Sequence, residues 1–93
     1  MLKITVQVFG SLIQFLGRRQ TLVLDEEATV KSLSKILFAD LKKFENSFSE
    51  ARERGEGELL VLVNGRNIDT LNGLDTRLRE GDVVSFISPF AGG

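Results

Sequence analysis

Leu78-Arg79-Glu80-Gly81-Asp82-Val83-Val84-Ser85-Phe86-Ile87-Ser88-Pro89-Phe90-Ala91-Gly92-Gly93 is the stretch from which the rest of this 93-residue chain can be read. Glu80-Gly81-Asp82 has turn composition, and Val83 to Ser88 is an apolar, β-branched run that reads as a strand. Period-two alternation sends Val84 and Phe86 to a core and leaves Val83, Ser85 and Ile87 on the other side. Residues 88–93 then form a tail. Pro89 stiffens its exit, and Gly92-Gly93 carry no Cβ atoms, so it is slim enough for a narrow channel in another protein. Fully extended, the tail spans roughly 20 Å. Two glycines at the last two positions would arise from composition alone at roughly the 1% level. The α-carboxylate on Gly93 is ionised at neutral pH and unreactive until something activates it.

Working back from that strand, Leu59-Leu60-Val61-Leu62-Val63 is a continuous apolar strand, and Asn64-Gly65 after it is a type I′ hairpin signal, since that turn needs positive φ at both positions. Arg66-Asn67-Ile68 is the short return strand. Asn72-Gly73 marks a further turn, with Leu74 and Leu78 expected to anchor an irregular segment in the core. At the other end of the chain, Leu2, Ile4, Val6 and Val8 alternate with Lys3, Thr5, Gln7 and Phe9 as a half-buried strand. A short apolar loop through Leu12, Ile13, Phe15 and Leu16 leads to a second strand, Gln20 to Leu24, so the two make an antiparallel hairpin. Thr29 precedes Val30, Leu33, Leu37, Leu41 and Phe44 at helical spacing, which predicts a helix capped by the Thr29 hydroxyl, with Ile36 and Phe38 widening its apolar stripe. Residues 45–58 are a charged excursion, in which Phe44, Phe48 and Ala51 keep helical spacing and suggest a second short helix. The element order is that of an α+β single domain over 1–93, a mixed sheet with one main helix on one face.

Composition removes most catalytic classes. The chain has no Cys and no His, which excludes disulfides, thiolate chemistry, Ser-His or Cys-His nucleophiles and the usual structural zinc sites. Twelve Lys and Arg against thirteen Asp and Glu leave no clustered cationic footprint for nucleic acid or an acidic membrane surface. No apolar run approaches the roughly 18 residues of a membrane span and the N-terminus alternates, so the expected compartment is the cytoplasm. The one dense acidic group, Asp25-Glu26-Glu27, precedes a helix N-terminus, where it is a solvated run and not a metal site. Gly55-Glu56-Gly57 lacks the spacing of a phosphate loop.

The element order, with Val63-Asn64-Gly65, the Leu-x-x-Gly-Asp-x-Val pattern of residues 78–84 and the terminal Gly92-Gly93, resembles the ubiquitin-like β-grasp carriers of the MoaD/ThiS type. Within that group the chain is most similar to the MoaD-like small subunit of molybdopterin synthase. The resemblance spans essentially the whole chain; it departs at Ser88-Pro89, where many such carriers have Pro-Pro, and in an excursion at 45–58 longer than in a typical ThiS-like carrier. It implies that Gly93 is adenylated by an activating partner of the ubiquitin-activating type using ATP. A sulfur donor then converts the end to a thiocarboxylate, which serves a pterin precursor held by the large synthase subunit in molybdenum or tungsten cofactor synthesis. The chain itself would be a carrier with no bound cofactor and no catalytic residues of its own, its tail formed by Pro89, Phe90, Ala91 and Gly92. Two other roles require the same glycine end: a modifier joined through Gly93 to lysines, and a sulfur carrier of the thiamine type. A fourth reading is an interaction domain with an inert tail.

A carrier also needs a docking face. If the first and last strands are neighbours, as in a β-grasp, Phe9 and Ile87 share one outer sheet face near the tail, and Phe9, Ile87 and Phe90 form a candidate partner surface. The competing expectation is that Phe9 folds under the loop holding Phe15 and Leu16.

Overall fold

The computed structural model describes residues 1–39 and 60–87. Five strands form one mixed sheet: β1 (Leu2–Phe9), β2 (Arg19–Leu24), β3 (Leu60–Val63), β4 (Arg66–Asn67) and β5 (Val83–Ile87), in the spatial order β2-β1-β5-β3-β4. β1 and β5 run parallel, and the other neighbours are antiparallel. The predicted hairpin is present, with Ile4 opposite Leu22. Its connection is more ordered than a loop: a 3₁₀ turn at Gly10–Leu12 runs into a single helical turn, α1 (Ile13–Leu16), which ends at Gly17 with φ of 77°. That turn drives Leu12 fully into the core, and the Val8 N–H donates to the Arg18 carbonyl to close the hairpin.

α2 (Val30–Phe38) begins where the Thr29 side chain predicts. Thr29 Oγ1 accepts from the Ser32 N–H at 3.2 Å while Ser32 Oγ accepts from the Thr29 N–H at 2.8 Å, a reciprocal pair that satisfies two donors the first helical turn leaves free. Val30, Leu33 and Leu37 face the sheet. Ile36 departs from expectation: it lies about a quarter turn from the centre of that stripe and is 56% exposed. Phe38 lies equally far round the other way but reaches the core's edge, where its ring meets Phe86 in a T-shaped contact with centroids 5.8 Å apart. Leu41, Phe44 and the expected second helix lie outside the described residues, as do Leu59 and the tail 88–93.

The core is the inner face of β1, β5 and β3 packed beneath α2: Ile4, Val6, Val84 and Phe86 are wholly buried, with Val8, Val61, Val63 and Leu24 beside them. Leu2, expected in the same set, is only partly buried at the strand's open end. Asn64 has φ of 52° and Gly65 of 83°, the two positive values required by the predicted I′ turn. The return strand stops at Asn67, whose Oδ1 accepts from the Asp69 N–H at 2.9 Å and starts a 3₁₀ turn at Ile68–Thr70 that buries Ile68. The segment that follows corrects the expectation for Leu74. It occupies a 3₁₀ turn, Gly73–Asp75, and is half exposed, because Thr76 and Leu78 on the succeeding extended stretch do the anchoring. No helix of the described residues is long and apolar enough to cross a membrane.

The cap and the core make separable contributions. Thr29→Ala is expected to lower the unfolding free energy by about 1 kcal/mol, and Phe86→Ala by about 3–5 kcal/mol, both read from urea midpoints at unchanged slope.

Candidate functional site

The glycine end of the chain departs from β5, so the site is built around that strand's last residue. Phe9 stands opposite Ile87 in the parallel β1–β5 ladder, and Ile87 stands opposite Leu60 in the antiparallel β5–β3 ladder. Partners in register point to the same side of a sheet, so Phe9, Ile87 and Leu60 form one cross-strand row. It lies on the face away from α2, since Val8, Phe86 and Val61, next in each strand, are buried in the core. Phe9 is 46% exposed, Leu60 is 45% exposed, and Ile87 is half-buried between them. This apolar row lies where residue 88 follows β5.

The pairing of Phe9 with Ile87 is as expected. Ser85 is a correction. It lies on the outer face as alternation requires but is only 8% exposed, because the Gln7 and Leu62 side chains flank it from the neighbouring strands. Leu60 is the member that sequence reasoning missed. Leu59 to Val63 is apolar at every position and shows no alternation, yet counting back from the Asn64-Gly65 turn would have placed it: Val63 and Val61 face the core, so Leu62 and Leu60 face out. Gly93 and the tail residues Pro89, Phe90, Ala91 and Gly92 lie outside the described residues.

The acidic run lacks the features of a site. Glu27 N–H donates to Asp25 Oδ1 at 3.3 Å within a turn, and Glu26 meets the N-terminal ammonium at 3.3 Å with both groups about three-quarters exposed, a solvent-screened pair of little energetic weight. No cluster of three or more metal-ligating side chains occurs among the described residues.

The geometry can be set beside known proteins. The ThiS family model matches residues 6–93, which takes in β5 and the glycine end. A candidate sulfur carrier protein of Archaeoglobus fulgidus is 36% identical over 78 residues, 80% of this chain and 70% of that protein. Small archaeal modifier protein 3 of Haloferax volcanii is 37% identical over 71 residues, 74% of each chain. Among solved structures, a candidate molybdopterin converting factor subunit 1 from Pyrococcus furiosus superposes with a TM-score of 0.73 at 25% identity, over 96% of this chain and 99% of that one. Among the described residues, a five-stranded mixed sheet packed against one main helix, with β1 and β5 parallel, makes the ubiquitin-like β-grasp expected from the sequence. With the family match running from β1 to Gly93, the chain belongs to the ThiS family of ubiquitin-like sulfur carriers and modifiers.

Proposed function

We propose that this protein is the sulfur-carrying small subunit of a molybdopterin-forming synthase, with Gly93 as the site of attachment. The observation that carries the reading is the reach of the family match: it extends through Gly92-Gly93, six residues beyond the point where β5 leaves the sheet beside the Phe9–Ile87–Leu60 row. The chemistry follows from what a carboxylate lacks. Its oxygens are poor leaving groups and its charge repels nucleophiles, so an activating partner spends ATP: a Gly93 carboxylate oxygen attacks the α-phosphorus, pyrophosphate departs, and an acyl-adenylate remains. A persulfide on the sulfur donor attacks the acyl carbon and expels AMP. A second thiol then cleaves the sulfur–sulfur bond, leaving the thiocarboxylate on Gly93 and a disulfide on the donor side. Inside the large subunit, the thiocarboxylate sulfur displaces an oxygen leaving group from a carbon of the pterin precursor to form a thioester, and water then cleaves the acyl–sulfur bond, leaving the sulfur on the pterin as a thiol and Gly93 as a carboxylate. Without Cys or His of its own, the chain supplies the cargo site and the docking face, and the partners supply the catalytic groups.

A second reading, a modifier joined through Gly93 to lysine side chains, is favoured by the 37% identity to small archaeal modifier protein 3. It shares the acyl-adenylate and differs in the nucleophile that consumes it.

Intact mass spectrometry after incubation with ATP, a sulfide source and cell extract separates the two. The carrier reading expects a mass gain equal to one oxygen replaced by sulfur, absent from a variant lacking Gly93. Lysine-linked adducts without that gain would establish the modifier instead, and an unchanged mass where a known carrier is converted would overturn both. The docking row has its own test. Phe9→Asp and Leu60→Asp are each expected to weaken binding to the large subunit by about tenfold or more. Val23→Asp, at an exposed position on β2 far from the tail, should leave it unchanged. Full affinity in folded Phe9 and Leu60 variants would remove the row from the interface.

A further inference from the structure

An open trough of about 620 Å³ lies at the other end of β5, where the Asn64-Gly65 turn, the 3₁₀ segments and the entry to the strand meet. Arg66, Arg77 and Arg79 line it, with Val63 and Leu71 as its apolar lining. The backbone that presents two of these arginines is tightly held. Thr29 and Arg77 form an isolated antiparallel bridge, in which the Val30 N–H donates to the Thr76 carbonyl and the Leu78 N–H to the Ala28 carbonyl, each at 3.0 Å. Thr76 and Leu78 are buried, so alternation along this extended stretch turns Arg77 and Arg79 outward on the same side. Arg66 comes from the hairpin across the trough.

The charge there is unbalanced. Asp82 is the only carboxylate among the described lining residues, and both its oxygens are engaged: Oδ1 accepts from Asn64 Nδ2 at 2.9 Å and Oδ2 from the Arg79 backbone N–H at 2.8 Å. Three guanidiniums against one carboxylate leave a local charge of +2 in a chain whose net charge is −1. Among the described residues the one ion pair is that of the N-terminus with Glu26, so none of the three arginines has a carboxylate partner there.

We propose that this trough docks an acidic segment of a partner protein, a short extended run of Asp and Glu whose carboxylates pair with Arg66, Arg77 and Arg79. A guanidinium presents paired N–H donors that match a carboxylate two at a time. An open trough with its cations spread along the walls suits an extended chain, whereas a single small anion would be left half solvated. Nucleic acid is disfavoured because the described lining holds no aromatic ring for a base to stack on and too few cations to follow a phosphate backbone. The trough and the Phe9–Ile87–Leu60 row sit at opposite ends of β5, about 13 Å of strand apart, so a segment held here leaves the tail's exit uncovered. The inference concerns binding alone and stands independently of which sulfur or modifier chemistry Gly93 performs.

The test uses the full chain and a fluorescent hexaglutamate peptide, followed by anisotropy at low and at physiological ionic strength. Hexaglutamate is expected to bind, and hexaglutamine is not. An Arg77→Ala, Arg79→Ala double variant should weaken binding by about tenfold or more. An Arg18→Ala, Arg19→Ala double variant, which removes two exposed cations outside the trough, should bind like the original chain. Unchanged urea midpoints for both variants would show that binding and not folding has altered. Absence of binding, equal losses in the two double variants, or displacement of the peptide by pyrophosphate or an oligonucleotide at lower concentration than by unlabelled hexaglutamate would each overturn the proposal.

Discussion

The parallel pairing of β1 with β5 is the contact on which the rest of the molecule depends. It joins Val6 to Val84 and Val8 to Phe86, residues nearly the full chain apart, and makes the two central strands of the sheet. Everything between them is the crossover that a parallel pair requires. β2 is added to the outside of β1, β3 to the outside of β5, and α2 covers the face where the two central strands bury their side chains. The register is enforced by that burial. A slip of one residue would turn Val84 and Phe86 to the outer face and bring Ser85 inward, exposing side chains worth about 1.5–3 kcal/mol each. The same register sets Phe9 beside Ile87, so the candidate docking row is a by-product of core packing and needs no separate stabilisation.

Polar contacts secure β5 at its start. Asn64 tolerates the positive φ of the turn, and its side chain also extends the ladder: Oδ1 accepts from the Val83 N–H at 2.9 Å while Nδ2 donates to Asp82. The Asn64 N–H donates in turn to the Val83 carbonyl. On the other flank, the Gly81 N–H donates to the Lys3 carbonyl, and Glu80 Oε1 accepts from the Lys3 N–H at 3.0 Å. The Gly-Asp of the Leu-x-x-Gly-Asp-x-Val pattern therefore has a physical meaning. Gly81 supplies a φ of 83° that a side chain would strain, and Asp82 ties the turn to both Asn64 and the Arg79 backbone.

Much of this was legible in the sequence, and the exceptions share a cause. Local signals were sufficient for the strands, the Thr29 cap and the Asn64-Gly65 turn, because each is decided by residues within a few positions of one another. Ile36 and Leu74 were misread because hydrophobicity says that a side chain can be buried, whereas the reach of the neighbouring elements decides whether it is. Ser85 erred in the opposite direction: a central strand hides even its outward residues behind Gln7 and Leu62. The adjacency of β1 and β5 came from the family resemblance and not from any local pattern. Leu60 was hidden by a run with no polar residue to mark its phase. The arginine trough had no sequence signature at all, since residues 66, 77 and 79 converge only after the hairpin and the Thr29–Arg77 bridge have formed.

The two ends of β5 differ in chemistry in a way that suits their different mechanical situations. At its start the strand is fixed by directional hydrogen bonds from Asn64, Asp82 and the β1 backbone, and the surface there is cationic. Rigid placement matters for guanidiniums, whose forks reward correct geometry. At its end the strand is held by ladder pairing, with the apolar Phe9 and Leu60 on either side of Ile87. Apolar contacts of this kind tolerate small shifts in approach that would break a directional hydrogen bond. The strand thus separates a polar, hydrogen-bonded start from an apolar end, with Val84 and Phe86 in the buried stretch between them.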